Sequence, residues 1–279
     1  GMATAARLQA QGMNTIVLEA HGRVGGCAGY FRQKGFSFDV GATTLVDFED
    51  GGVGGELLNA IGMSSLEVEQ LPGYIAWLPD RTVTLHRDTQ LWSAERLAKL
   101  GDSSAHQAFW ALLDHLSHTF WLASRKGIKL PMQSLSDVLQ NVDSLGFRNL
   151  PLGRYLRWTM GDALRTYGLR DDTALCGLLG MLIEDTVHST IDDAPLINSA
   201  LGITIRGAGL IRHPGGMYGF WKRFTAHYRT LGGELMLGCR VERVTKQDNI
   251  FILHTRRGEI YAKQVVSTLP PELTATLAP

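Results

Sequence analysis

Apolar positions along this chain alternate between a helical and a strand period. Ala3 to Gly12 is built from Ala, Leu, Arg and Gln, strong helix formers, and ends at a glycine. Thr15-Ile16-Val17-Leu18-Glu19 follows, a short β-branched run ending in an acid, the pattern of a buried parallel strand. Residues 20–48 read as loop and strand, Gly-rich from His21 to Gly29 and alternating from Ser37 to Leu45 around Asp39 and Gly41. A short helix is predicted over 54–62, closed by Gly62. Tyr74–Leu78 and Thr82–His86, on either side of Pro79-Asp80-Arg81, predict a β-hairpin. From 93 to 206 the pattern is mostly helical: Phe109, Leu112, Leu113, Leu116 and Phe120 fall on one helix face. The apolar run Leu175–Ile183, interrupted by Gly177 and Gly180, reads as a buried helix. Gly207–Gly219 returns to loop and strand. Met217, Phe220, Trp221, Phe224, Tyr228 and Leu231 then repeat the helical spacing up to Gly232-Gly233. Residues 234–269 read as short strands with a turn at Arg256-Arg257-Gly258. The last strand, Gln264–Leu269, runs out into a loop at Pro270-Pro271.

This order predicts an α/β fold. Residues 1–68 and 207–279 are expected to build one α/β domain, with 69–206 inserted as a mostly helical domain carrying a β-hairpin. Composition narrows the function. Of 279 residues, 44% are hydrophobic and 19% charged, enough for a packed core. Lys plus Arg equals Asp plus Glu at 27 each, so no basic footprint points to nucleic acid. Cys27, Cys176 and Cys239 are too far apart for a zinc site or a disulfide framework, which favours a reducing, cytoplasmic setting. No apolar run approaches the roughly 18 residues of a membrane span.

The chemistry concentrates near the start. A helix followed by a strand ending in an acid is the downstream half of a dinucleotide-binding unit, with Glu19 placed to accept hydrogen bonds from ribose hydroxyls. Gly1 stands where the last glycine of GxGxxG would be. The expectation is therefore a chain cut at both ends. Glu19-Ala20-His21-Gly22-Arg23-Val24-Gly25-Gly26 adds an acid, an arginine and two glycines at fixed offsets. The glycines let backbone amides approach a diphosphate, and Arg23 adds a planar positive fork.

These segments resemble the FAD-dependent oxidoreductases that include phytoene desaturases, carotenoid cis–trans isomerases and retinol saturases, related to flavin amine oxidases. The resemblance rests on Gly1–Leu8, Leu18–Tyr30, Phe38–Thr43, His213-Pro214-Gly215-Gly216-Met217, Gly232-Gly233-Glu234 with Val241–Val244, and Val265–Thr268, in that order over essentially the whole chain. It implies a Rossmann-like FAD-binding domain, incomplete here, with the helical insert as substrate domain. It also implies residue roles. Glu19 would hold the ribose, Arg23 the diphosphate side, and Gly25, Gly26 and Cys27 would line the flavin through backbone. Gly1 would pack helix on strand, and Val241 would present its backbone to the adenine. Gly41 would pass the flavin, where Asp39 could equally pin a turn. No catalytic side chain is singled out. The implied substrate is an elongated apolar polyene undergoing desaturation, isomerisation or saturation at C–C bonds. Peripheral membrane contact is expected through the apolar side chains between Phe109 and Leu130. Two rivals stand beside this reading: an amine-oxidase-like flavoenzyme, and a non-catalytic chain that keeps the fold without FAD.

Other constellations have plainer readings. Glu184 and His188, four apart, lack a third metal ligand, so no metal is expected. Ser189-Thr190 with Asp192-Asp193 reads as a helix start. His106, His115 and His118 read as satisfied side chains. Trp110, Phe120, Trp121, Trp158 and Tyr167 fit a tunnel lining or an ordinary core equally.

Overall fold

Helix α1 (Met2–Ala10) and strand β1 (Ile16–Glu19) open the computed structural model, which describes residues 1–63, 66, 68–129, 132–204 and 210–278. β2 (Ala28–Gln33) and β3 (Phe36–Gly41) form an antiparallel hairpin, followed by α2 (Val53–Ala60) and β4 (Glu69–Gln70). The hairpin β5 (Gly73–Trp77) and β6 (Thr82–His86) precedes α3 (Thr89–Leu100), α4 (Ser104–Arg125) and α5 (Leu135–Leu145). A run of 3-10 turns over Phe147–Arg157 leads to α6 (Met160–Thr166), α7 (Thr173–Val187) and α8 (Leu196–Thr204). The chain continues through β7 (Ile211–Arg212), α9 (Gly216–Thr230), β8 (Glu234–Leu237), β9 (Val241–Gln247), β10 (Ile250–Thr255), β11 (Gly258–Ala262) and α10 (Pro271–Leu277).

Two compact units result, one from Gly1–Gln70 with Ile211–Pro279, the other Leu71–Leu210. In the first, β1 pairs in parallel with β8, and β9, β10 and β11 form an antiparallel meander. Its core gathers Met2, Ala6, Leu58, Ile61, Phe220, Phe224 and Tyr228. Tyr228 ties these layers together. Its fully buried hydroxyl donates to the carbonyls of Thr15 (3.0 Å) and Glu234 (3.2 Å), at the starts of β1 and β8. Burial raises its pKa above the usual tyrosine value. A Cβ on Gly233 would fall on the Tyr228 ring, so the second glycine after α9 makes room for this anchor.

The second unit starts its helices with side-chain caps. Asp88, Ser103 and Asp172 accept amides at the heads of α3, α4 and α7, and Ser134/Asp137 and Thr159/Asp162 form capping boxes on α5 and α6. Its core holds Phe109, Leu113, Leu116, Leu175, Leu178, Leu179 and Leu182. Trp110 is also interior, and Phe120, Trp158 and Tyr167 pack against the core, an ordinary interior role.

Three expectations are corrected. Gln264–Leu269 belongs to no strand: Val265 and Val266 are exposed, and no neighbouring strand pairs with them among the described residues. The chain after Pro270-Pro271 is helix α10 rather than a loop, with proline suited to its first position. The apolar side chains expected to meet a membrane, from Phe109 onward, are largely interior. Phe109, Leu113 and Leu116 are at most 1% exposed because their shared helix face is the core-facing one. Leu130, and the stretch 207–209, lie outside the described residues.

Candidate active site

The candidate site lies in the α/β unit, where β1 ends. Its parallel pairing with β8 sets Glu19 opposite Leu237. The Glu19 carbonyl accepts from the Cys239 amide and the His21 carbonyl from the Gly238 amide, both at 2.8 Å. These bonds wrap the chain after β8 around the tip of β1 and bring the start of β9, with Val241, toward the same end. The Glu19 side chain turns back on its own loop: Oε1 accepts from the His21 amide at 2.8 Å. Among the described residues, Oε2 makes no hydrogen bond. Gly1 stands nearby. Its nitrogen is partly buried and close enough to Glu19 to feel the carboxylate's charge. A Cβ on Gly1 would lie 3.3 Å from Thr268 Oγ1. The head of α1, Glu19 and Thr268 therefore converge, with the positive end of a helix at one side.

A second group sits in the loop after β1. Val24 is buried and anchors it. Gly25 has φ 122° and Gly26 φ 55°, conformations that favour glycine. A Cβ on Gly25 would stand 2.8 Å from Trp221 Nε1 and from Gly29 Cα, whereas one on Gly26 would meet nothing within 4 Å. Gly25 is thus a packing glycine, and Gly26 a bare backbone facing open space. Gly41, at φ 75°, pairs with Ala28 and approaches the Cys27 carbonyl so closely that a Cβ would lie 2.6 Å from its oxygen. Cys27 and Arg23 are exposed, and no acid pairs with Arg23 among the described residues.

Asp39 has the structural role. Its side chain is 8% exposed, accepts from the Met217 amide at 2.8 Å and lies 4.0 Å from Arg212, so it caps α9 from β3. The residue that sequence reasoning missed is Trp221. Its indole Nε1 donates to the Ala28 carbonyl at 2.7 Å and packs over Gly25. The spacing showed Trp221 only as one apolar position on a helix. A bond to a residue 193 positions away leaves no local signal.

A strand-end carboxylate with an open oxygen suits a vicinal diol, and bare glycine amides beside an arginine suit an anion. These are the needs of the ribose and diphosphate of a dinucleotide, and the residues present fit that half of one. Elsewhere, Ser189-Thr190 with Asp192-Asp193, expected as a helix start, form a turn in which Thr190 Oγ1 donates to Asp193 Oδ2, and α8 begins only at Leu196. His188 ends α7 in a left-handed conformation, Asp192 accepts from Arg165 and Arg170, and His106 lies between Ser103 and Asp172. Among the described residues no three His, Cys, Asp or Glu side chains gather as metal ligands.

The family model for flavin containing amine oxidoreductases matches residues 1–279. The chain belongs to that family. Prolycopene isomerase 1 of an Oncidium hybrid cultivar is 24% identical over 280 residues, covering 96% of this chain and 46% of its own length. All-trans-retinol 13,14-reductase of Danio rerio is 34% identical over 79 residues, 28% of this chain and 12% of its own. The chain thus spans about half the length of the isomerase it matches. Putrescine oxidase, solved with putrescine bound, superposes with a TM-score of 0.64 at 16% identity, over 99% of this chain and 58% of its own. That likeness establishes the Rossmann-like α/β fold of flavin-dependent oxidoreductases, and the family's cofactor is a flavin, FAD.

Proposed function

We propose that this chain carries the nucleotide-holding half of an FAD site and a substrate unit for an oxidoreductase acting on C–C bonds of an elongated apolar polyene. The observation that carries the cofactor assignment is the Glu19 carboxylate at the tip of β1, with one oxygen engaged by His21 and the other open. Glu19 would accept the ribose hydroxyls, and Val241 would border the adenine by its backbone. Arg23 and the amides near Gly25 and Gly26 would neutralise and hold the diphosphate. Cys27 and Gly41, joined through the β2–β3 hairpin, would border the flavin, and Gly1 would keep α1 close to it. Bound FAD supplies hydride acceptor and donor chemistry. The chain's own contribution is to hold and orient it. Trp221 and Asp39 fix the loop and the helix behind those contacts.

The likeness to prolycopene isomerase along 96% of the chain supports a polyene substrate. Residues 71–210 are then the substrate unit and the remainder the FAD-binding domain. A bilayer-dissolved substrate calls for a membrane-facing surface, and α5 supports one. It buries Asp137, Asn141 and Ser144 and turns Leu135, Val138 and Leu139 outward, Leu135 at 84% exposure. Phe147 and Leu150 extend that apolar surface. Between Lys126 and Arg157 stand five basic and two acidic residues, which suits an anionic bilayer. No helix among the described residues is long and apolar enough to cross a membrane.

The test is substrate choice. The purified flavoprotein containing this chain is incubated with prolycopene or with putrescine, and polyene isomer and desaturation products are followed beside anaerobic flavin bleaching. Turnover of the polyene alone is expected. Bleaching by the amine alone would establish the amine-oxidase rival, and absence of flavin from the purified protein the non-catalytic one.

A further inference from the structure

The turn between β10 and β11 carries two adjacent arginines, Arg256 and Arg257, and the fold uses them differently. Strand register sets this turn beside Val241. Thr255 pairs with Val241 of β9 on one side and with Gly258 of β11 on the other. Arg256 ties the turn to β9, its Nε donating to Glu242 Oε1 at 2.8 Å. Arg257 reaches elsewhere. Its Nη2 lies 3.3 Å from where a Cβ on Gly238 would stand, so the guanidinium rests over bare backbone. Gly238 itself has φ 61°, a conformation that favours glycine.

Gly238 belongs to the strap that closes around the tip of β1. Its amide donates to the His21 carbonyl, and the next amide, of Cys239, donates to the Glu19 carbonyl, both at 2.8 Å. Arg257 therefore stands over the segment that holds Glu19 and leads into Val241. The acids around it are engaged with other groups. Glu242 is taken by Arg256. Glu259, next after Gly258, accepts from the Tyr261 hydroxyl at 2.7 Å and lies 3.1 Å from His254. Glu19 keeps Oε2 open, and among the described residues no ion pair joins it to Arg257. The Arg257 amide donates to Thr255 Oγ1 at 3.1 Å, so a pinned turn presents this exposed side chain.

A guanidinium is planar and weakly hydrated, and it stacks on aromatic faces. An aromatic ring beside it also gains the attraction of a cation for a π face. A phosphate suits the place less well, because the Glu19 carboxylate shares the strap. We propose that Arg257 holds the adenine base of FAD by stacking on it, and so sets a preference for a purine at that end of the cofactor. The proposal rests on the nucleotide site assigned to Glu19 and Val241.

The test is a flavin-fluorescence titration of the apo-protein containing this chain, wild type beside Arg257→Gln and Arg257→Lys. Arg257 is exposed, so both substitutions are compatible with the fold, and circular dichroism checks them. FAD is one ligand. Flavin cytosine dinucleotide, which keeps the ribose and diphosphate but carries a smaller base, is the other. FAD affinity is expected to fall about fivefold in Arg257→Gln, and lysine is expected not to restore it. The cytosine ligand is expected to lose clearly less. Wild-type FAD affinity in a folded Arg257→Gln would overturn the proposal. So would an equal loss for the two ligands, or full restoration by lysine, either of which would assign the side chain to the diphosphate as a plain charge. Absence of FAD binding by the wild-type protein is a separate result, which would overturn the nucleotide site itself.

Discussion

Single residues account for two tight constraints in the α/β unit. Gly233 has no space for a side chain because the buried Tyr228 ring lies against it. Overpacking of this kind costs about 1–3 kcal/mol, so Gly233→Ala is expected to lower the unfolding free energy by that amount, read as a lower urea midpoint at an unchanged slope. A wild-type midpoint would mean that Tyr228 is free to move aside. Trp221→Phe keeps the aromatic packing but removes the donor to the Ala28 carbonyl. A lost buried hydrogen bond costs about 1–3 kcal/mol. The variant should therefore lose stability and, because Ala28 closes the turn with Gly25, also bind FAD more weakly. Loss of stability with intact flavin affinity would show that the loop holds its shape without Trp221. Glu19, Arg23, Gly25 and Gly26 stand out in the sequence because the pattern is local: an acid, an arginine and two glycines at short offsets. Trp221 and Asp39 were not legible as a pair of ties, since each acts on a partner more than 170 positions away.

Among elements, the helices of the Leu71–Leu210 unit were legible as a region but not in their facing. The spacing of Phe109, Leu113 and Leu116 marks an apolar face without saying whether it meets core or solvent, and the core claims it. In α5 the same kind of face points outward, because Asp137 and Asn141 find hydrogen-bond partners on the inner side. Likewise β-branching in Val265-Val266 indicates strand propensity, but a strand also requires a paired neighbour. The capping boxes predict a pH response. Hydrogen bonds from Ser134 and then Gln133 hold the Asp137 carboxyl below the usual carboxylate range, and those from Thr159 and then Arg165 do the same for Asp162. Their folded pKa values lie below the unfolded ones, so their stabilisation is complete above about pH 4 and is lost as pH falls through the folded values. The thermal midpoint of this unit should drop below pH 4, and less steeply in the double variant Asp137→Asn, Asp162→Asn. Parallel curves for the two proteins would remove these carboxylates from the acid transition.

At the scale of the whole molecule, glycine and strand patterning reads as α/β, helical and α/β segments in that order, and the compact unit Gly1–Gln70 with Ile211–Pro279 contains both Thr15–Glu19 and Val265–Thr268. Peripheral membrane contact is tested by flotation with phosphatidylglycerol vesicles. Wild-type protein should float, and Leu135→Glu with Leu139→Glu should lower the bound fraction at least tenfold. Equal flotation of the two would exclude α5 as the contact surface. FAD binding is expected to depend on Glu19 more than on any other side chain. Charge-assisted hydrogen bonds are worth about 1.5–3 kcal/mol, and Glu19→Gln keeps the shape and an acceptor for the His21 amide while removing the charge. The decisive measurement is a flavin-fluorescence titration of the apo-protein containing this chain, wild type against Glu19→Gln. The expected result is a loss of FAD affinity of about tenfold or more with an unchanged thermal midpoint in the absence of flavin. Equal affinities would place the ribose elsewhere and contradict the nucleotide site described for β1.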